Sequence, residues 1–307
     1  MTAYLELHRS GELRQRVVAA LQLLESCQVC PHGCGVNRLA GDAGRCRTSR
    51  QAVLSSYGAH FGEERPLVGS GGSGTIFFAN CNLNCLFCQN YCTSHLGEGS
   101  DVSREQLAEV MLSLQSSGCH NINLVSPSHV VPQVLEALEL AAGSGLHLPL
   151  VYNSGGYDSV ETLRILDGII DIYMPDMKYD DDEIAGRLSG CKGYPHYNRA
   201  AVKEMHRQVG DLEMDEQGVA RRGLLVRHLV LPQGLAGTRG IVDYISRNIS
   251  RDTYVNVMAQ YHPCHRAFEV PGLERRVSYA ELAEALSLAR AAGLSRLDNA
   301  RALGAFR

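Results

Sequence analysis

The chain has 307 residues, of which 45% are hydrophobic and 20% charged, and its formal net charge is -4 at pH 7. This length is enough to bury a core and to form one large domain or two of ordinary size. The chain has no apolar run of about 18 residues and no charged and then apolar amino terminus. The sequence therefore predicts no membrane span and no secretory signal, and we expect a cytoplasmic protein. Its basic residues are scattered, which disfavours nucleic-acid binding through the phosphate backbone.

The first quarter of the chain divides into a helix and a cysteine-rich segment. Residues 4–26 carry apolar residues at helical spacing, which predicts one helix. Residues 27–74 are rich in Gly, Cys and Arg. They contain one predicted strand at 52–58 and end in the sequence GSGGSG, which indicates a flexible connection to the next segment of the chain. We therefore predict a small helical and cysteine-rich metal-binding lobe over residues 1–74.

From Thr75 onward, short β-branched or apolar runs alternate with amphipathic stretches, a pattern typical of repeated βα units around a parallel sheet. The six predicted strands are TIFFAN (75–80), NINLVS (121–126), LPLVY (148–152), DIYM (171–174), LLVRHLVL (224–231) and TYVNVM (253–258). The predicted helices lie at 103–117, 130–143, 158–167, 196–209, 237–248 and 278–292. Six units are two short of the eight that close a complete barrel. The predicted fold of residues 75–307 is therefore an α/β, TIM-like partial (β/α)6 barrel, with an added hairpin at 212–222.

The cysteine content is the unusual feature of the composition, with 11 cysteines in the chain. Clustered cysteines in a reducing compartment usually serve metals or catalysis. Eight of them form two groups. The first group is Cys27, Cys30, Cys34 and Cys46, and the second group is Cys81, Cys85, Cys88 and Cys92.

The first cysteine group has the spacing C-x2-C-x3-C-x11-C. Four thiolates so spaced can close either a tetrahedral zinc site or a fully ligated second 4Fe–4S cluster. Zinc would brace the amino-terminal lobe, whereas a second cluster would relay electrons or contact substrate. The sequence leaves these two alternatives open.

The second cysteine group follows the first predicted strand of the βα series, where parallel α/β folds collect their ligands. Cys81, Cys85 and Cys88 have the spacing C-x3-C-x2-C, and three thiolates on a 4Fe–4S cube leave one iron open to a ligand. The triple Cys85, Cys88 and Cys92 has the reversed spacing and would suit an ordinary cluster. Cys92 is interpreted as a fourth ligand, a ligand in a resting state or a buried thiol. A zinc knuckle is disfavoured, because zinc sites usually pair two close cysteines with two distant ones.

With Phe87 placed just before the third cysteine, this motif resembles that of the radical S-adenosylmethionine (radical SAM) superfamily. The resemblance favours the triple Cys81, Cys85 and Cys88 as the 4Fe–4S ligands. It implies that SAM binds the open iron and is cleaved reductively to a 5′-deoxyadenosyl radical, which abstracts hydrogen from a substrate. It also implies flavodoxin or ferredoxin as the reductant.

Most of the chain is similar to proteins described as pyruvate formate-lyase activating enzyme-like, an uncharacterised branch related to the glycyl-radical-enzyme activases. The motifs that carry this likeness are CPHGCGVNR (30–38), GSGTIFFANCNLNCLFCQN (72–90), YNSGGYD (152–158), YMPDMKY (173–179), LVLP (229–232) and VMAQYHP (257–263). The likeness implies an oxidoreductase that abstracts hydrogen from a protein.

The activase likeness also implies a SAM site at the strand ends. Asp176 and Lys178 match the pattern that places residues near SAM and a monovalent cation. Asn153, Ser154 and Met174 fall where the same surroundings are expected. The sequence indicates no catalytic residue, and the residues above are candidates for cofactor binding only.

Two departures from the activases keep the substrate open between a protein and a small molecule. Activases typically carry a Gly-Gly-Glu-Pro stretch after the second strand, which receives the SAM amino group. This chain has VSPSHVVP (125–132) there, and Ser126, Ser128 and His129 offer neutral acceptors instead. The additional cysteines also precede the radical SAM motif, rather than lying in a ferredoxin-like insert after it.

Two rival functions remain. One is radical modification of a small metabolite or of RNA, which a narrow enclosed cavity or a basic rim would favour respectively. The other is a non-enzymatic iron–sulfur electron-transfer module, in which Cys92 completes the ligand set. Arg227 alternates with apolar neighbours, so it either points inward to a carboxylate or forms an ion pair on the sheet face. Gln260 and Tyr261 are predicted to contact substrate.

Overall fold

The computed structural model describes residues 2–298, which form a mixed α/β structure around one nine-stranded sheet. The strands are β1 (Ala52–His60), β2 (Ser73–Phe78), β3 (Ser100–Val102), β4 (Ile122–Val125), β5 (Leu150–Ser154), β6 (Ile172–Pro175), β7 (Glu213–Met214), β8 (Ala220–Leu229) and β9 (Tyr254–Met258). The helices are α1 (Tyr4–Ser10), α2 (Glu12–Gln22), α3 (Arg65–Val68), α4 (Tyr91–Ser94), α5 (Arg104–Ser116), α6 (Val131–Gly143), α7 (Val160–Ile165), α8 (Asp182–Ser189), α9 (Tyr194–Val209), α10 (Thr238–Tyr244) and α11 (Tyr279–Ala291). Among these described helices, none combines the length and apolar character that a membrane crossing requires.

Six strands form a parallel series in the order β2, β4, β5, β6, β8, β9. They coincide with the six strands predicted from the alternating pattern, with bounds that differ by a few residues. Helices connect successive members, as parallel pairing requires. β1 runs antiparallel to β2, and β3 runs antiparallel to β1. β7 pairs antiparallel with β8, which confirms the predicted hairpin at 212–222.

The parallel series buries apolar side chains on both faces. The helices cover one face and share the main core with it. The opposite face, which we call the inner face, buries a separate apolar cluster that includes Val151, Ile172, Met174 and Leu225. Because side chains alternate along a strand, residues two positions beyond these also belong to the inner face, at the carboxyl end of their strands.

The amino-terminal helix predicted over residues 4–26 is wrong in detail, because the structure has two helices there. Gly11 lies between them with a φ of 79°, and its N–H bonds to the carbonyl of His8. A glycine adopts this left-handed conformation without the steric cost that other residues incur, so it ends α1.

The amino-terminal helices and the cysteine-rich segment both pack against the βα units of the parallel series. Tyr4 of α1 donates its hydroxyl to the carbonyl of Leu148 at 3.0 Å, and Thr162 of α7 donates to the carbonyl of Val29 at 2.8 Å. β2 begins at Ser73, just before the predicted domain boundary. That division into residues 1–74 and 75–307, the latter extending beyond the described residues, stays a prediction.

The sequence GSGGSG at 69–74 is closely packed. Gly74 is part of β2, and a side chain at Gly71 would overlap the carbonyl oxygen of Gly118. These glycines allow the backbone to approach its neighbours closely.

Candidate functional site

The loop after β2 brings three cysteines to one cavity of about 540 Å³. Cys81, Cys85 and Cys88 all line it, at the carboxyl ends of the parallel strands. Cys92 lies in α4 and is not among the lining residues. The arrangement therefore groups the three thiols of the C-x3-C-x2-C motif and leaves the fourth outside.

Each of the three thiols has a hydrogen-bonding neighbour. The backbone N–H of Leu83 donates to Cys81 Sγ at 3.4 Å, and the Ser189 hydroxyl donates to Cys85 Sγ at 3.0 Å. The hydroxyl of Ser94 lies 3.1 Å from Cys88 Sγ. Donors of this kind stabilise thiolates and tune the potentials of iron–sulfur clusters.

Burial raises the pKa of two of these thiols. The pKa of Cys81 rises to about 12, chiefly through burial and then through the charge of Cys85. The pKa of Cys85 rises to about 11, again chiefly through burial, although the Lys178 ammonium opposes the rise. Thiols in such surroundings lose their protons readily only when a bound cation compensates the negative charge, as in a metal site.

Asp176, just beyond the end of β6, is the centre of a buried ion-pair network. Lys178 Nζ donates to Asp176 Oδ2 at 2.5 Å, and Arg227 Nε donates to Asp176 Oδ1 at 2.8 Å. Arg227 Nη2 donates to Asn153 Oδ1 at 2.7 Å. Arg227 therefore points inward to a carboxylate, which is one of its two predicted alternatives.

The two cations decide the ionisation of this network. Burial by itself raises the pKa of Asp176, but the charges of Arg227 and Lys178 outweigh it and hold that pKa below its ordinary value. Burial lowers the pKa of Lys178, and Asp176 more than reverses this, raising it to about 12. The wall of the cavity thus carries a carboxylate, an ammonium and a guanidinium, all charged.

Five of the seven residues predicted to bind the cofactor line the cavity. They are Ser126, Asn153, Ser154, Asp176 and Lys178. Met174 is fully buried in the apolar cluster of the inner face, two residues before Asp176. Ser128 is buried beside Asp158, because the chain turns sharply at Ser126, whose φ is 58°. The cofactor role of all seven stays a prediction.

Side chains of α9 fix the strand ends that carry Ser154 and Asp176. Tyr194 hydrogen-bonds the carbonyl of Gly155 at 2.8 Å, and Asn198 Nδ2 donates to the carbonyls of Gly156 and Asp176, both at 2.9 Å. Gly156 has a φ of 74°, and a Cβ there would overlap the carbonyl oxygen of Asp176. Only glycine allows this close approach.

The first cysteine group is largely buried, and one of its members lies next to a buried arginine. Cys27, Cys30 and Cys46 are buried, and the Cys30 thiol interacts electrostatically with the other three. Burial raises the pKa of Cys30 to about 12. Arg38 is fully buried, and its Nη1 lies 3.9 Å from Cys27 Sγ and donates to the carbonyl of His129 at 2.8 Å.

Within residues 2–298, no group of three or more His, Cys, Asp or Glu side chains is arranged to hold one metal ion. The thiolates of an iron–sulfur cube each bind a different iron and need not converge on one point. The binding of a metal or cluster by either cysteine group therefore stays a prediction.

A short path joins the two cysteine groups. His32 Nε2 donates to the carbonyl of Asn82 at 2.7 Å, and Asn82 Nδ2 donates to the carbonyl of Tyr157 at 2.7 Å. The His32 and Tyr157 rings pack edge to face, with centroids 5.1 Å apart. His32 lies between Cys30 and Cys34, so one hydrogen bond connects that loop to the residue after Cys81.

The loop after β9 covers the second cysteine group. Tyr261 packs edge to face on Phe87 at 5.7 Å between ring centroids, and its hydroxyl donates to the carbonyl of Leu273 at 2.6 Å. Tyr261 is 1% exposed, so its side chain is part of the packed interior of the protein. Gln260 accepts a hydrogen bond on its carbonyl from Gln89 at 3.2 Å. Substrate contact by Gln260 and Tyr261 stays a prediction.

No family model matches the chain. A curated relative, the uncharacterized protein MJ0674 of Methanocaldococcus jannaschii, is 33% identical over 293 residues, which cover 93% of this chain and 80% of the relative. The chain belongs to the MJ0674 family. The name of this relative states no activity.

Two solved structures are similar to this member of the MJ0674 family at low identity. A radical SAM methyltransferase from Sphaerobacter thermophilus has a TM-score of 0.48 and 16% identity, over 75% of this chain and 68% of that protein. HydG, a maturase of the [FeFe]-hydrogenase, has a TM-score of 0.46 and 13% identity, over 71% of this chain. The match covers 49% of HydG.

Sequence reasoning missed several residues of the cavity in this MJ0674 family member. His60, the last residue of β1, and Glu63, just after that strand, both line it, and Ser189 reaches Cys85 from α8, a helix that was not predicted. Asp181 caps α8 by accepting a hydrogen bond from the N–H of Ile184, and an Asp before an amphipathic stretch could have indicated that helix.

Proposed function

We propose that this protein is a radical SAM enzyme. The observation that carries the proposal is the cavity shared by the three thiols of the C-x3-C-x2-C motif and the charged network around Asp176. Ligands of parallel α/β folds collect at the carboxyl ends of strands, and this cavity lies there. We further propose that the six-stranded parallel series is a partial (β/α)6 barrel of the TIM type.

The residues present fit a 4Fe–4S cluster. Cys81, Cys85 and Cys88 would hold three irons, and the neighbouring N–H and hydroxyl groups would stabilise the thiolates. The Lys178 ammonium interacts with the Cys85 thiol and would offset part of its negative charge. When bound, the cluster and SAM would supply an electron and a 5′-deoxyadenosyl radical that takes a hydrogen atom from the substrate.

The polar wall fits the amino-acid end of SAM. Ser126, Asn153 and Ser154 offer neutral hydrogen-bonding groups, and Asp176 and Lys178 offer both signs of charge. Ser128 and Met174 would act from behind this wall, by positioning the residues that line the cavity.

For the substrate we favour hydrogen abstraction from a protein, as in the activases, with flavodoxin or ferredoxin as the electron donor in the cytoplasm. The test is a search for SAM-dependent loss of deuterium from labelled cell protein on incubation with the active enzyme. Loss from small molecules alone would contradict the protein substrate and favour a metabolite. The buried part of the cavity lining, which includes Asn153, Ser154 and Asp176, is the observation that favours this second candidate.

For the first cysteine group, comprising Cys27, Cys30, Cys34 and Cys46, we retain zinc and a second 4Fe–4S cluster as the two candidates. Iron and zinc counts on the purified protein decide between them. About four iron atoms per chain with one zinc would indicate zinc, and about eight would indicate a second cluster.

The decisive experiment is electron paramagnetic resonance of the dithionite-reduced protein, purified anaerobically, with and without SAM. SAM should shift the spectrum of the wild type and of Cys92→Ala equally, because Cys92 lies outside the cavity. Cys81→Ala should lose the SAM-responsive signal. If SAM leaves the wild-type spectrum unchanged, or if Cys92→Ala alone acquires a response, then no iron is open and the electron-transfer module replaces the enzyme.

A further inference from the structure

The cavity reaches Glu63, the first of two consecutive buried glutamates. Glu63 and Glu64 lie between β1 and α3 and are 9% and 5% exposed. Glu63 lines the same cavity as the three cysteines. Consecutive carboxyls are rarely buried unless a cation or a ligand accompanies them.

The cations of the cavity make their hydrogen bonds to groups other than these glutamates. Arg227 donates to Asp176 and Asn153, and Lys178 donates to Asp176. Within the described part of the chain, neither Glu63 nor Glu64 forms a salt bridge. Three carboxyls with two cations leave one surplus negative charge when all are ionised.

Hydrogen-bonding capacity is also left over next to Glu63, just behind the cavity wall. Glu64 Oε1 accepts from Asn256 Nδ2 at 3.0 Å, but Glu64 Oε2 is buried without a hydrogen bond. Asn123 is fully buried on the inner face, and neither its amide nitrogen nor its oxygen makes a hydrogen bond of ordinary geometry, although Glu63 lies close to it. Buried polar groups are normally satisfied, so unsatisfied acceptors beside a cavity indicate a ligand that donates.

We propose that Glu63, Glu64 and Asn123 form a subsite for the protonated amine of a ligand held in this cavity. An ammonium group has three donors and one positive charge, which match the open acceptor atoms and the surplus negative charge. The inference rests on the proposed function for the identity of the ligand. The amine belongs either to SAM or to a substrate that carries a primary amine.

Protonation of Glu63 gives the subsite a measurable signature. Burial raises the pKa of Glu63 to about 7, opposed by Arg227 and reinforced by Glu64. Asp176, Lys178 and His60 line the same cavity. A bound ammonium favours the carboxylate, so binding near pH 7 should release a proton from Glu63 to the buffer.

The test is calorimetric titration of the anaerobically reconstituted protein with SAM, and then with n-butylammonium chloride in the presence of SAM. Each titration is done at pH 7 in two buffers of different ionisation enthalpy. Glu63→Gln is compared with the wild type and with Glu216→Gln, an exposed glutamate that serves as control. Glu63→Asp, which keeps the charge on a shorter side chain, is the second variant if Glu63→Gln does not fold.

If the subsite takes the SAM amine, Glu63→Gln should weaken SAM binding by about tenfold or more and abolish the buffer dependence. If it takes a substrate amine, SAM binding should stay unchanged and butylammonium binding should be lost. Unchanged binding of both ligands to a folded variant overturns the inference, as does potassium ion binding as tightly as butylammonium. Glu63-dependent binding of butylammonium to a protein that shows no spectral response to SAM would refute the proposed function alone.

Discussion

Removing the charge of Asp176 should destabilise the protein strongly. In Asp176→Asn, the Lys178 ammonium and the Arg227 guanidinium lose the carboxylate that they share, and their side chains are only 16% and 18% exposed. At an effective dielectric constant of about 20, a charge pair about 4 Å apart gains about 4 kcal/mol. Desolvation offsets part of the gain from two such pairs, and losing one partner of a buried network costs about 3–5 kcal/mol. We therefore expect a loss of about 3–5 kcal/mol in the free energy of unfolding.

The assay is urea unfolding followed by circular dichroism at pH 7.5, with Glu269→Gln as the matched control. Glu269 also accepts from an arginine, Arg266, at 2.7 Å, but both side chains are more than half exposed. Solvent screens exposed pairs of this kind, so the control should unfold near the wild-type midpoint. A loss below about 1 kcal/mol in Asp176→Asn would show that the network does not stabilise the fold and would refute the reasoning.

Two further predictions concern the backbone and the pH dependence. Gly156→Ala should cost about 3 kcal/mol or more in urea unfolding, because it combines a left-handed φ with overlap on Asp176. Gly218→Ala has a similar φ but open space, so it should cost only about 1 kcal/mol, and equal losses would contradict the role of the overlap. Burial, reinforced by neighbouring charges, lowers the pKa of His129 from 6.5 to about 4. Only the unfolded chain gains this proton as the pH falls below 6.5, so His129 should contribute a loss of about 2 kcal/mol in folding stability between pH 7 and 5, whereas the raised pKa of Glu63 contributes in the opposite direction. His129→Gln keeps a donor for the carbonyl of Ala79, so in urea titrations at both pH values the wild type should lose about 2 kcal/mol relative to this variant, whereas an equal change in both proteins would contradict the contribution of His129.

The parallel strands could be predicted because their apolar runs are short, β-branched and separated by turn residues. Asp176 and the three thiols could be found because Asp176 directly follows such a strand and the thiols lie in the loop after another, where the fold collects ligands. The helix break at Gly11 was missed because an isolated glycine inside an apolar period is often tolerated.

The rest of the candidate site depends on packing between distant parts of the chain. Glu63 and Glu64 stand in the sequence GEERP, which is typical of an exposed turn, and only the fold buries them. Ser189 reaches Cys85 across more than one hundred residues, and no local pattern predicts that contact. The position of Met174 beneath the cavity results from its depth along β6, which composition does not reveal.

The packing of the amino-terminal segment has a consequence for synthesis on the ribosome. The last cysteine of the first group is residue 46. The carbonyl of Val29, in the same segment, accepts a hydrogen bond from the hydroxyl of Thr162 in α7, which is synthesised much later. At about 5–20 residues per second, that partner is translated on the order of ten seconds later. During this delay four thiols are present on the nascent chain without the surface that buries them. These four thiols are therefore accessible to metal ions and to oxidants before that contact can form.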